Sequence, residues 1–561
     1  MKHRVLALAG LLVLAIAPSV YAQSDPPKAN GSTPTFTAST ELVLVPAIVT
    51  DHHGAHIPGL TRDDFVLLEN GKEQKISSFE EITPTATPVP ELNASTGPLE
   101  FTNTRPANFQ PRRINIIVLD ALNTSFGDQA YARRELIKYL STSLQPNQLT
   151  TLLLLTGTGV KVIHDFTTDT GVLIAAIQRQ KGQTGHMEGE DISVIGSDSR
   201  PAGNLNRQQI LIEADRIDTM IRRAQSMAVG HDLNFAILET VDCMEAIAQA
   251  YSGIPGRKSL IWITGGFPMM LNLYDPVVTV YQERRARMFD HLNSANIAVY
   301  PVDARGLVNP DFISAADHVP VLGGGFGWVE TMDFNVFAHM ETLNTFRDVA
   351  DMTGGRAFFN TNDLSHAVDK AATDSSSYYL LGFYVKAGAR KPGWRKLKVK
   401  VNRPGLRVRA RQGYFVPGEA RPSKEDRHRD VLMALYSPFE STALPVTVRW
   451  TRQSRADAAN SMVSFEVLLD SHSIVIDEAN GNRFSVDLVA VATTPDLNVV
   501  GNLSQEFNHT LAPSVLAKIR SKGLTFSGQF KMPPGEYTAK FVVRDNLSGR
   551  IGSVTAPLNV Q

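Results

Sequence analysis

Six oxygen-bearing side chains stand at the ends of apolar stretches or directly after them, where they could hold a ligand. Three apolar stretches, 114–120, 259–264 and 297–303, end in Asp, Thr and Asp. In an open α/β sheet, ligands bind outside the carboxyl ends of the strands, so side chains placed there form a candidate binding surface. The candidates are Asp120, Asn123, Thr124, Ser125, Thr264 and Asp303.

The elements that must position these side chains alternate between strand and helix patterns. Helical spacing of apolar residues is found in segments such as 127–144 and 281–293. Apolar strand patterns cover 114–120, 149–155, 160–166, 259–264 and 297–303. Such alternation predicts an α/β domain over 113–385, with a mostly parallel sheet covered on both faces. Insertions are expected at 181–230 and 304–340.

Two β-rich regions precede and follow this domain. Residues 38–83 read as a small β module, because an Asn70-Gly71 turn joins two strand patterns. The Pro- and Thr-rich segment 84–112 is a predicted linker. Several short strand patterns over 431–561 predict a C-terminal β-sandwich.

Between the α/β domain and the C-terminal β-sandwich, residues 386–418 form a predicted basic β extension. It contains eleven Lys and Arg and no Asp or Glu. Basic and apolar residues alternate there, as on a strand with one solvated face. The basic residues could lie opposite acidic surface of the α/β domain. They could instead meet anionic envelope polymers, lipid headgroups or nucleic acid.

The amino terminus predicts export. Lys2 and Arg4 precede an apolar run that Pro18 closes, and Val20-Tyr21-Ala22 fits a cleavage site, so 1–22 is a predicted signal peptide. No later apolar stretch is long enough to span a membrane. We expect a periplasmic or extracellular protein without a transmembrane segment after cleavage.

Composition narrows the possible functions. The 561 residues carry 55 Lys and Arg against 56 Asp and Glu, which gives no reason to expect nucleic acid as a partner. The single cysteine, Cys243, excludes an intramolecular disulfide and any site with several cysteine ligands. The stability of the protein must therefore come from packed cores.

A series of ordered motifs resembles the exported von Willebrand factor A-related domain proteins that are abundant in acidobacterial genomes. The motifs span residues 40 to 416, about two thirds of the chain. They include Gly59-Leu-Thr-Arg-Asp-Asp-Phe65, Leu119-Asp-Ala-Leu-Asn-Thr124, Gly253-Ile-Pro-Gly-Arg-Lys-Ser259, Tyr300-Pro-Val-Asp-Ala-Arg-Gly306 and Arg407-Val-Arg-Ala-Arg-Gln-Gly-Tyr-Phe415. The resemblance implies a central doubly wound, Rossmann-like von Willebrand factor A domain flanked by β modules. It brings no assigned activity with it.

The resemblance also implies an incomplete metal site. Domains of this type bind Mg²⁺ with an Asp-x-Ser-x-Ser loop, a Thr and a later Asp, all hard oxygen ligands. Asp120 and Thr124 match the first and last loop positions, whereas Leu122 occupies the middle one. Gly265 stands where the later Asp is expected, and Leu233 is nearest to the place of the Thr.

The sequence thus predicts an exported, non-enzymatic binding or adhesion-type protein. It would contact a protein or an envelope ligand through the carboxyl-edge loops of its α/β domain, with no catalytic residues and no resident cofactor. One alternative is an Mg²⁺-dependent adhesion module that uses Asp120 and Thr124. Another is an envelope hydrolase that uses Asp120 or Asp303 with a histidine such as His231.

Overall fold

The structure is a computed structural model that describes most of the chain from Thr40 onward. The described residues are 40–83, 97, 99–105, 113–145, 148–180, 235–266, 277–307, 327–374, 376–386, 393–416, 423–478 and 481–561, without the side chains of 40–41, 277–280 and 327–338. The predicted signal peptide 1–22, the insertion 181–230, His231 and Leu233 lie outside the described residues.

Strands and helices are numbered in chain order. The strands are β1 (Thr40–Thr50), β2 (Phe65–Glu69), β3 (Lys72–Gln74), β4 (Ser78–Ile82), β5 (Glu100–Thr102), β6 (Ile114–Asp120), β7 (Leu149–Thr156), β8 (Gly159–Thr167), β9 (Lys258–Thr264), β10 (Ile297–Asp303), β11 (Tyr378–Lys386), β12 (Gly393–Val401), β13 (Arg407–Ala410), β14 (Gly413–Val416), β15 (Val446–Arg455), β16 (Ser461–Leu469), β17 (Arg483–Thr493), β18 (Val499–Thr510), β19 (Leu524–Met532), β20 (Gly535–Asp545) and β21 (Ile551–Val560). The described α-helices are α1 (Phe126–Thr142), α2 (Thr170–Gln178), α3 (235–251), α4 (Val277–Ser294), α5 (Gly327–Thr353), α6 (Leu364–Asp374), α7 (Lys424–Tyr436) and α8 (Pro513–Lys522).

The α/β part of the molecule is built on a five-stranded sheet in the order β10-β9-β6-β7-β8. Strands β10, β9, β6 and β7 are parallel, and β8 runs antiparallel to β7. Every residue of the four parallel strands is buried, which explains why their sequences are predominantly apolar. The predicted mixed α/β class is confirmed.

Helices cover both faces of this sheet. Ile116 and Val118 of β6 pack in one core with α3, α4 and α5, and Ile117 and Leu119 pack in another with α1, α2 and α6. Successive residues of a strand point to opposite faces, so one apolar run serves both cores. Helix α5 begins at Gly327, inside the stretch 304–340 that we expected to be an insertion.

The first β-sandwich draws its strands from two distant parts of the chain. One sheet has the order β13-β1-β11-β4, and the other has the order β14-β12-β2-β3. The segments 38–83 and 386–418, which the sequence separated, therefore share one core. Its buried side chains include Val45, Leu67, Tyr379, Leu381 and Leu397.

The second β-sandwich lies at the carboxyl end of the chain. Its sheets have the orders β19-β16-β15-β5 and β18-β17-β20-β21 around a core that contains Trp450, Phe465 and Phe541. Strand β5 comes from the predicted linker 84–112 and pairs with β15. Helix α7 packs on this sandwich through Val431 and Ala434.

A charged cluster joins the α/β part to the second sandwich. The side chain of Glu245 on α3 lies 3.2 Å from His291 Nδ1 and 3.7 Å from Arg287 Nε, both on α4. Arg287 NH1 also lies 3.5 Å from Asp430 on α7, whose other oxygen accepts a 2.9 Å hydrogen bond from the buried Arg544. Charges of opposite sign thus alternate across the junction, and of the five side chains only Arg287 and His291 are more than slightly exposed.

None of the helices in the described ranges combines the length and hydropathy that a membrane span requires.

Candidate functional site: the carboxyl edge of the central sheet

The carboxyl edge is defined here as the loops 121–125, 265–266 and 304–307, which follow β6, β9 and β10. Its central side chain is Asp120, the last residue of β6, which is 2% exposed. Oδ1 accepts hydrogen bonds from the backbone N–H groups of Leu122 (3.0 Å) and Asn123 (2.9 Å). Oδ2 accepts from Asn123 Nδ2 (2.8 Å), Trp262 Nε1 (3.0 Å) and Thr264 Oγ1 (2.8 Å).

Burial and hydrogen bonding act in opposite directions on the pKa of the Asp120 carboxyl group. Burial raises the pKa of Asp120 above its ordinary 3.8, and the hydrogen bonds from Asn123, Thr264 and Trp262 oppose this rise. Every contact comes from an N–H or O–H donor, so dipoles stabilise the carboxylate. Asp120 therefore ties the loop after β6 to strand β9.

A second set of hydrogen bonds joins the loop 121–125 to the loop after β9 and to neighbouring helices. Thr124 Oγ1 accepts a 2.8 Å hydrogen bond from the backbone N–H of Gly265. Asn123 Nδ2 also donates to Thr240 Oγ1 on α3 at 2.9 Å. Gln129 of α1 donates to the carbonyl oxygen of Thr124 at 2.9 Å. The loop 121–125 is thus held from α1, α3 and the loop after β9.

The two glycines after Thr264 are required by this packing. A Cβ atom on Gly265 would lie 2.6 Å from the carbonyl oxygen of Asn123. Gly266 has a φ of +74°, and a Cβ there would lie 2.5 Å from Phe346. Real Cβ atoms do not approach other heavy atoms so closely. Position 265 has no room for the aspartate of a complete metal site.

The residues at this edge do not fit a Mg²⁺ ion. Both oxygens of Asp120 and the hydroxyl of Thr124 already accept hydrogen bonds, and the Leu122 side chain is buried. The amide oxygen of Asn123 has no donor within the described part of the chain. One neutral oxygen is far short of the octahedral shell that Mg²⁺ demands. Across the described residues, no three His, Cys, Asp or Glu side chains converge on a metal position.

Asp303 forms a separate cluster at the end of β10. Arg305 binds its carboxylate with two hydrogen bonds, Nε to Oδ1 at 2.9 Å and NH2 to Oδ2 at 2.8 Å. The ring of His339 on α5 lies 3.5 Å from Arg305 NH1. This bidentate ion pair fixes the start of the loop after β10.

Four of the six predicted site residues therefore meet in one cluster: Asp120, Asn123, Thr124 and Thr264. Ser125 caps α1 by accepting a hydrogen bond from the Asp128 backbone N–H at 3.2 Å. Apart from the half-buried Ser125, all six are buried. As they stand, the buried side chains shape the loops from beneath and do not face a partner.

Sequence reasoning missed the side chains that this edge exposes. Phe126 is 50% exposed at the start of α1, and Leu307 is 61% exposed at the end of the loop after β10. No sequence signal marked either residue as exposed. The role of Trp262 was not predicted because its indole N–H belongs to a residue inside an apolar strand. The role of Arg305 was not predicted because only the fold brings its side chain back onto Asp303.

The comparisons with known proteins do not assign a family. No family model and no curated protein matches the chain. Among the solved structures that match, the SpRpn10 VWA domain is 12% identical, with 46% of this chain and 93% of that domain covered at a TM-score of 0.21. A TM-score this low does not assign the chain to that fold.

Other structures that match are glycoside hydrolases. The Bacteroides uniformis β-glucuronidase is 10% identical and covers 33% of this chain at a TM-score of 0.15. A glycosyl hydrolase family 2 member from Bacteroides cellulosilyticus is 8% identical, with the same coverage and TM-score. The chain spans 19% and 20% of the length of these two enzymes.

These hydrolases correct one prediction made from the sequence. The chain was expected not to be an enzyme, and structures of enzymes among its matches contradict that expectation. The TM-scores are too low to transfer the activities of those proteins to this chain.

Proposed function

We propose that this chain is a binding protein whose central domain is a doubly wound, von Willebrand factor A-like unit. It contacts a protein or an envelope ligand through the carboxyl edge of its sheet. One observation carries the proposal: the buried cluster around Asp120 locks the edge loops, while Phe126 and Leu307 stay exposed beside them. Rigid loops that present apolar side chains bind with little ordering cost.

A shared support connects the two exposed side chains. The side-chain oxygen of Asn362 accepts a hydrogen bond from the Leu307 backbone N–H at 2.8 Å. The backbone oxygen of the same residue accepts a hydrogen bond from the Tyr131 hydroxyl. Tyr131 and Phe126 both belong to α1. Asn362 therefore ties the loop that carries Leu307 to the helix at whose start Phe126 stands.

Export completes the proposal. The predicted signal peptide 1–22 would place the binding surface in the periplasm or the medium. There it would meet envelope proteins and polymers, which are the partner classes that we propose.

The test compares two variants of the exported protein as bait for the native envelope fraction. Phe126→Ser with Leu307→Ser removes the exposed apolar side chains of the carboxyl edge. Leu497→Ser with Val499→Ser removes two side chains that are at least 60% exposed on the second sandwich. We expect a partner that the wild type and the second variant retain and the first variant loses.

The same capture is run with and without EDTA. Loss of the partner in EDTA would favour the Mg²⁺-dependent alternative. Identical capture by both double variants would contradict the proposed surface.

A further inference from the structure

The outer face of the sheet β14-β12-β2-β3 carries a row of lysines. Residues 397, 399 and 401 of β12 point into the first sandwich, so the alternate residues point outward. Lys396, Lys398 and Lys400 are all exposed on that side. We call these lysines, together with Trp394 on the same strand, the basic face.

Other basic residues of the segment 386–418 are occupied inside the protein. Arg409 forms an ion pair with Asp374, and Arg403 binds Asp64 with Nε to Oδ1 at 2.7 Å. A guanidinium N–H of Arg411 donates to the carbonyl oxygen of Leu44 at 2.7 Å. These arginines hold the first sandwich together and attach it to α6.

The three lysines of the basic face are not used in this way. In the described part of the chain, no carboxylate lies within ion-pair distance of Lys396, Lys398 or Lys400. On the outer side of β2 and β3, their neighbours are Val66, Leu68 and Glu73. Val66 lies opposite Lys400 and Leu68 opposite Lys398, and Glu73 pairs with Leu68. Glu73 lies on the edge strand, away from the centre of the row. The face therefore keeps a net positive charge.

An aromatic ring lies against the neighbouring strand at one end of the lysine row. A Cβ atom on Gly413 would lie 2.2 Å from Trp394 Cζ2 and 2.5 Å from Cε2. The indole therefore rests directly on the backbone of β14, and glycine at 413 is what permits this position. Trp394 is 38% exposed, so its ring forms a platform beside Lys396.

We propose that the basic face binds an anionic polysaccharide. Lysines at alternate positions of a strand are about 6.6–6.8 Å apart, so a chain lying along β12 meets a regular series of ammonium groups. Its carboxylate or sulfate groups would pair with the lysines, and a sugar ring would stack on the indole. This surface is distinct from the carboxyl edge of the central sheet.

Two other anionic partners fit the face less well. Insertion into a membrane requires protruding apolar side chains, whereas the indole packs against β14 and Val66 and Leu68 are half-buried. Single-stranded nucleic acid needs aromatic rings under successive bases. Here Trp394 and its cross-strand partner Phe415 both stand at one end of the row.

The test measures binding of heparin, with neutral dextran as a control polymer, by titration calorimetry at low salt. In the test variant, Lys396, Lys398 and Lys400 are changed to Gln. In the control variant, the exposed Lys424, Lys518 and Lys522 are changed to Gln, which removes the same charge elsewhere. All six side chains are exposed, so thermal unfolding should show wild-type midpoints.

We expect heparin binding that weakens with salt, falls about tenfold in the test variant and stays unchanged in the control variant. Trp394→Ala should also weaken it, although no charge is lost. Dextran should not bind. Equal losses in the two lysine variants, or unchanged binding in the test variant, would overturn the proposal. So would tighter binding to an oligothymidylate or to phosphatidylglycerol vesicles than to heparin.

Discussion

Replacing Gly265 by Ala tests whether the carboxyl edge is closed. The added Cβ would lie 2.6 Å from the Asn123 carbonyl oxygen and 3.3 Å from the Thr124 Cα. The two loops must move apart by about 0.8 Å to restore an ordinary contact. That movement also stretches the 2.8 Å hydrogen bond between the Gly265 N–H and Thr124 Oγ1.

The cost follows from these two effects. Overpacking in a rigid interior costs about 1–3 kcal/mol, and weakening a buried hydrogen bond costs about 1–3 kcal/mol. Alanine recovers about 0.4–1 kcal/mol by restricting the unfolded chain. We therefore expect the free energy of unfolding of the α/β part to fall by about 2–4 kcal/mol.

Urea unfolding followed by circular dichroism measures this change as a lower midpoint. Gly127→Ala is the matched control, because its nearest neighbour would be Ser125 Oγ at 4.0 Å and the residue lies in helix α1. That variant should unfold at the wild-type midpoint or slightly above it. Equal midpoints for the two variants would refute the closed edge, and Gly265→Asp would then be expected to gain stability from Mg²⁺.

Three further outcomes follow from the buried polar groups. Thr264→Val removes a hydrogen-bond donor to Asp120 and should lower the free energy of unfolding by about 1–3 kcal/mol. Thr264→Ser keeps the hydroxyl and should retain most of this stability. Urea unfolding measures both variants. Millimolar Mg²⁺ should leave the thermal midpoint of the wild type unchanged, and a rise would contradict the misfit of the edge to the ion. Burial lowers the pKa of His291, but the hydrogen bond and negative charge of Glu245 outweigh this effect. The pKa is therefore raised overall, and the charges of Asp290 and Asp430 contribute to the rise. The stabilisation by protonated His291 should be complete below pH 6.5 and disappear as pH rises through the raised pKa. His291→Gln should therefore lower the melting point mainly at acidic pH. The control variant His366→Gln changes an exposed histidine and should leave the melting point unchanged.

The central sheet was predictable because its strands are buried on both faces. The stretches 114–120, 259–264 and 297–303 coincide with β6, β9 and β10 to within one residue. Helix α7 was not predicted. By composition the charged segment 419–430 is typical of a linker, but α7 begins within it at Lys424, where Ser423 accepts a hydrogen bond from the Asp426 N–H in the manner of a cap.

The rest depends on contacts between distant residues, which local patterns do not record. Nothing in the alternation of β1 or β12 says that β1 pairs with β11 or that β2 pairs with β12. Likewise, the resemblance to von Willebrand factor A domains implies an acid where this chain has Gly265, but only the fold reveals the Asn123 carbonyl that leaves no room for one. Asp120 was recognisable as a special residue, whereas its burial beneath the loops was not.

The split origin of the first sandwich imposes an order on the synthesis of the protein. Ile82 at the end of β4 pairs with Tyr378 at the beginning of β11, and β2 pairs with β12. The N-terminal strands therefore leave the ribosome long before their partners exist. Pairing across such a separation is slow. The segment from β1 to β4 would thus remain without its partner strands until most of the protein has been synthesised.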